Sequence, residues 1–122
     1  LQAYERLTLL CDRVSLPNTL LRIRTPGMRV GDLMGALLLS ISQEFEHNTS
    51  QQLFVSETLW RILTLAREQT LTLVTNAAED LDNKADAEEL VKRIFALLEE
   101  QEGPTPLHRA IIAIRMEAGR LF

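Results

Sequence analysis

The sequence predicts an all-α fold, a helical bundle of four to five helices with an extended connector around residues 20–25. Three observations carry this expectation. Leu is the dominant apolar residue while aromatics make up only 5% of the chain, a composition suited to helices packed on helices. Apolar residues recur three and four positions apart through most of the sequence, the spacing of one helix face. The interruptions fall at Pro17, Pro26-Gly27 and Gly103-Pro104, residue types that punctuate helices. At 122 residues, 46% hydrophobic and 25% charged, the chain reads as a single domain over residues 1–122, and its hydrophobicity excludes disorder.

The first helix is expected from about Leu1 to Val14, with Leu1, Tyr4, Leu7, Cys11 and Val14 on one face. Pro17 is expected to end it, because the residue before a proline is steered away from helical geometry. Leu21, Arg22, Ile23 and Arg24 alternate apolar and polar. They read as a short extended piece, a connector or an edge that pairs with a second copy, closed by a turn at Pro26-Gly27.

A second helix is expected from Val30–Asp32 to His47–Thr49. Asp32 sits in its first turn, where free amides and the helix dipole favour negative charge. Met34, Leu37, Leu38, Ile41 and Phe45 form its apolar stripe. Leu33, Ala36 and Leu39 widen that stripe, which predicts burial on more than one side. After the polar run Asn48 to Gln52 comes Leu53-Phe54-Val55, then Ser56 as the cap of a long third helix reaching Ala78 or Asp80. Leu59, Ile62, Leu63, Ala66, Leu73, Val74 and Ala77 give it an inner face. A fourth helix follows Asn83 or Asp86 as cap, with Leu90, Val91, Ile94, Phe95, Leu97 and Leu98 on its apolar side. Gly103 ends it. Thr105-Pro106 opens a fifth helix, whose core face is Leu107, Ala110, Ile111, Ile114, Ala118 and Leu121.

Charge is spread unevenly. Residues 1–31 hold five arginines and two acids, a net of +3, against −7 for the remainder of a chain whose total is −4. The acidic total speaks against nucleic acid as a partner. Arg22, Arg24 and Arg29 form a candidate anion-facing patch, which could face an anionic membrane or partner or be a solvated face without one. The one cysteine, Cys11, lies among apolar neighbours and reads as a buried, inert thiol.

The most suggestive chemistry lies at Glu44-Phe45-Glu46-His47. Glu44 and His47 are three apart on one helix face, the E-x-x-H spacing of carboxylate-bridged di-iron bundles. A complete di-iron site needs a second such pair. The other histidine, His108, has Thr105 three positions before it, so one chain lacks the second half. Glu44 and His47 remain weak metal candidates, with Glu46 or a second copy supplying more ligands. The structural alternative is a polar clasp. There His47 meets the helix dipole, Asn48 takes a left-handed cap, and Gln51 and Gln52 satisfy loose backbone groups. No phosphate loop, nucleophile elbow or paired-cysteine motif is present in the sequence, and no cofactor is expected.

Several segments resemble a family. Leu1-Gln2-Ala3-Tyr4-Glu5-Arg6-Leu7, Pro26-Gly27-Met28, Glu44-Phe45-Glu46-His47-Asn48, Ser50-Gln51-Gln52 and Val55-Ser56 are together similar to an uncharacterised bacterial family of small helical proteins. The likeness covers about the first two-thirds of the chain well and the last helices loosely. Cys11-Asp12-Arg13 departs from it, standing where the family has an apolar residue and Glu-Arg. The resemblance implies an N-terminal transmembrane helix, a basic linker, and then a domain like this one on the cytoplasmic side. A chain that starts at Leu1 fits a piece of such a protein. It implies no activity. The expected role is therefore a non-enzymatic interaction domain of a membrane-tethered protein, meeting a protein partner or itself, possible as a homodimer. A metal- or small-ligand-binding domain using Glu44 and His47 is the alternative, and an enzyme whose site straddles two chains is a third reading.

Overall fold

The computed structural model describes residues 1–121. Its elements are α1 (Gln2–Arg13), α2 (Leu16–Ile23), α3 (Val30–His47), a 3₁₀ turn (Thr49–Phe54), α4 (Glu57–Ala78), α5 (Ala87–Glu100) and α6 (Pro106–Leu121). The all-α class stands. The expected count of four to five helices is short, because two segments read as connectors are helical.

The larger correction concerns residues 20–25. Leu16–Ile23 is a helix, and Arg24, at φ −71° and ψ 128°, is extended just after it. Pro17 opens this helix instead of ending the one before. A first-turn residue has no intrahelical use for its N–H, so proline is tolerated at that point. The Thr19 N–H closes the turn on the Ser15 carbonyl at 2.8 Å. Leu16 and Leu20, four apart, are buried together with Thr19. The four-residue alternation lost to this longer period because burial on the core decides between them. Gly27, at φ +84°, makes the following turn in the left-handed region that glycine enters without strain.

The residues around Arg29, which forms an isolated bridge with Asp86, pair within the chain. The Val30 N–H donates to the Ala85 carbonyl (2.9 Å), the Gly31 N–H to Asn83 (3.0 Å) and the Ala87 N–H to Met28 (3.1 Å). This clip seats the start of α3 beside the start of α5. Asp86 caps α5 by accepting from the Glu88 N–H at 2.8 Å, so the cap is Asp86 and not Asn83. Thr105 caps α6 through the His108 N–H at 3.2 Å, as expected.

All six helices contribute to one core. Leu7 and Val14, Leu20, Leu33, Leu37 and Ile41, Leu59 and Leu63, Leu90 and Ile94, and Ile114 are buried in it. α6 packs along both α1 and α4, and α3 packs against α2, α4 and α5. The α3 stripe is narrower than expected. Leu33, Leu37, Ile41 and Phe45 are buried at four-residue steps, while Leu39 faces solvent. Phe95 and Leu121, assigned to inner faces by spacing, are also exposed. Leu1, placed on the core face of the first helix, is exposed at the N-cap position of α1.

Candidate functional site

The Glu44–Gln52 segment is the junction between α3 and α4. Its backbone turns without a left-handed residue. Asn48 sits at φ −109° and ψ 8°, so the expected left-handed cap is not formed. The chain passes straight into the 3₁₀ turn, which keeps right-handed dihedrals, and no reversal is needed. The Asn48 N–H donates to the Phe45 carbonyl (3.0 Å) and its Nδ2 to the Glu44 carbonyl (2.9 Å). The Thr49 hydroxyl donates to the Glu46 carbonyl at 3.0 Å. These bonds satisfy the last carbonyls of α3, which otherwise have no partner. Gln51 is buried, and its N–H donates to the Asn48 carbonyl at 3.0 Å.

The segment's side chains divide. Glu44 turns to α1 and accepts from Arg13 Nε at 2.7 Å. Arg6, Leu9, Leu10 and Arg13 of α1 join Glu44 and Asn48 around a shallow depression of about 290 Å³. His47, Glu46 and Gln52 are exposed and lie outside it. Among the described residues, no three His, Cys, Asp or Glu side chains gather closely enough to hold a metal ion. The clasp is therefore Glu44, Asn48 and Gln51, and its bonds are made mainly through the backbone.

The arginines of the candidate basic patch are engaged within the chain. Arg22 donates to the Arg13 carbonyl (2.6 Å), and with Asn18 on the Asp12 carbonyl (2.8 Å) it satisfies the end of α1. Arg24 pairs with Glu88 of α5. Arg29 donates to the Lys84 carbonyl at 2.6 Å. Arg24 also stands at the edge of an open groove of about 610 Å³ between α2 and α5, lined in part by Leu21, Met28 and Phe95.

The 3₁₀ turn ends in an apolar tip, where Phe54, paired by sequence with Trp60 as a candidate patch or a packing residue, is exposed while Trp60 packs against the core. Leu53 and Phe54 at its tip are 84% and 67% exposed. They border a groove of about 460 Å³ with Tyr4, Val55, Ser56, Glu117, Arg120 and Leu121. Beneath the tip, one carboxylate collects three donors. Glu117 Oε2 accepts from the Tyr4 hydroxyl (3.1 Å) and the Ser56 N–H (3.0 Å), and Oε1 accepts from the Ser56 hydroxyl. Ser56 Oγ in turn accepts from the Leu59 N–H at 3.0 Å, so the cap expected from sequence is present. Burial pushes the Glu117 carboxyl up. The bonds from Ser56 and Tyr4, aided by Arg120, outweigh that and hold it below the ordinary carboxylate value. Tyr4 is pushed up by its own burial and by Glu117. Ser56 was legible as a cap. Glu117 was not, because its partners lie 61 and 113 positions away and no local pattern joins them.

Against known proteins, residues 1–121 match the profile of a family of unknown function (DUF7935). No curated protein and no solved structure matches the chain.

Proposed function

The chain belongs to the family of unknown function DUF7935, and from that premise we propose that it is a non-enzymatic interaction domain that docks to a second copy of itself through the Leu53-Phe54 face. The observation that supports this is the side-by-side placement of an apolar tip and an apolar groove. Leu53 and Phe54 project while Tyr4, Val55 and Leu121 line the adjoining depression. A patch holding both a knob and its hole can satisfy itself about a two-fold axis, as an isologous interface requires. The tip stands on hydrogen bonds from the Asn48 side chain to the Glu44 carbonyl and from the Gln51 N–H to the Asn48 carbonyl, which lowers the ordering cost of association.

The patch is small, so the dimer is weak and concentration-dependent. The reading includes a membrane tether that holds the domain at the cytoplasmic surface, as the family resemblance implies. No helix of the described residues is long and apolar enough to cross a membrane, so the tether is a segment other than α1–α6. Confinement to a membrane raises the effective concentration of neighbouring domains, and a weak interface then suffices.

Sedimentation over a wide concentration range tests the reading. Self-association is expected for the parent chain and its loss for Leu53→Ser/Phe54→Ser, with the helical signal unchanged. A parent chain that stays monomeric at its highest attainable concentration overturns it. So does an association that survives the double substitution and is lost on Leu21→Ser, which would move the interface to the α2–α5 groove.

A further inference from the structure

We propose that Glu117 is the latch of the docking face: its ionised carboxylate pins the C-terminal foot of the Leu53-Phe54 turn to α6, and neutralising it frees the turn. This rests on the docking reading for its role, though the latch itself is measurable without any association. The geometry assigns it. The turn has two feet. The first, at Asn48, is closed by bonds to α3. The second, at Val55-Ser56, is extended backbone that forms no helix. Its N–H and hydroxyl both donate to Glu117, 61 positions away on another helix. The Tyr4 hydroxyl reaches the same carboxylate from α1. One side chain thus joins α1, the foot of the turn and α6.

All three donors are neutral, so the carboxylate's acceptor capacity is what holds them. Ionised, it offers two oxygens and about four lone-pair sites to three donors. Protonated, one oxygen becomes a donor and the remaining acceptor sites lose the charge that strengthens all three bonds. The facing groups that titrate or carry charge are Tyr4 on α1 and Arg120 on α6. Ser56 faces it from the start of α4 and is neutral, and the 3₁₀ turn, Thr49–Phe54, carries no charge. The Tyr4 phenol stays protonated across the acid range because its value is raised. Glu57, next in the chain on α4, is a second carboxylate close to the Ser56 amide, so the acid-range change that is lost in Glu117→Gln is the one that reports Glu117.

The test uses dilute protein, where docking is absent. In the parent chain the Ser56 amide proton shift is expected to titrate with a midpoint below the ordinary carboxylate range. In Glu117→Gln the midpoint is expected to vanish. Amide exchange at Ser56 is then expected to rise roughly tenfold, the scale of losing a bond to a charged group, with Leu37 and Ile41 in α3 unchanged. A Ser56 amide that does not titrate in the parent chain overturns the latch and needs no variant to show it. Exchange that is unchanged in Glu117→Gln, or that rises equally in α3, overturns it as well. A titrating latch in a chain that never dimerises would refute the docking reading alone.

Discussion

Ser56 serves two partners at once, and that sets what its loss should do. Its hydroxyl caps α4 through the Leu59 N–H and donates to Glu117. Ser56→Ala removes the cap and one of the three donors. A cap alone is worth about 0.5–2 kcal/mol, so denaturant unfolding should show a loss at the upper end of that range. Ser56→Ala that matches the parent within error would mean the cap is replaceable by water. Glu117 adds a pH dependence whose sign is fixed by its lowered value. The contribution is fully present above the unfolded carboxylate value of about 4.3. It is lost as pH falls through the folded value, so stability should drop on the acid side, and less steeply in Glu117→Gln. Cys11 makes the opposite case. Burial pushes its thiol to about 12, and the thiolate is the reactive form. A thiol reagent at neutral pH should label it only as the protein unfolds, at a rate that rises with denaturant.

At the scale of elements, α2 shows where one-dimensional reading stops. Its buried pair, Leu16 and Leu20, spans the residue that was expected to end a helix. Two signals conflicted there, a proline and a brief alternation against a four-residue apolar step. Burial against α3 decides between them, and burial is not a local property. Leu20→Ala should therefore cost about 2–4 kcal/mol in urea unfolding, the scale of a truncated core leucine. Leu21→Ala, one residue on and 86% exposed, should stay within about 0.5 kcal/mol. Equal costs for the two would contradict the helix. The long helices were legible because their apolar period runs through four or more turns and their caps at Ser56, Asp86 and Thr105 are local chemistry. The 3₁₀ turn was not, since Thr49–Phe54 is mostly polar and its shape is set by bonds back to α3. The clasp was half legible. Glu44 and Asn48 could be placed on one face by spacing, but Arg13, the partner of Glu44, comes from another helix.

For the whole molecule, the arrangement of the core determines how it should unfold. α6, the last helix, lies along α1, the first, and along α4. Tyr4 near the start of α1 meets Glu117 near the end of α6. The two ends of the chain thus close on each other, and neither half can keep its buried face without the other. The buried residues form one continuous cluster drawn from all six helices, and among the described residues there is no second core around which a part could persist. A chain of this size with a single core is expected to unfold in one step. Trp60, the only tryptophan, sits on α4 and packs against that cluster, so its fluorescence follows tertiary packing. Far-ultraviolet dichroism follows the helices. The two transitions in urea should coincide in midpoint and slope. The Leu53→Ser/Phe54→Ser variant should share that midpoint, because the two side chains are solvent-exposed in the single chain and their removal uncovers no core. A fluorescence transition that precedes the helical one would show that α4 separates from the bundle first, and the closure of α6 over α1 and α4 would then not be what holds the fold together.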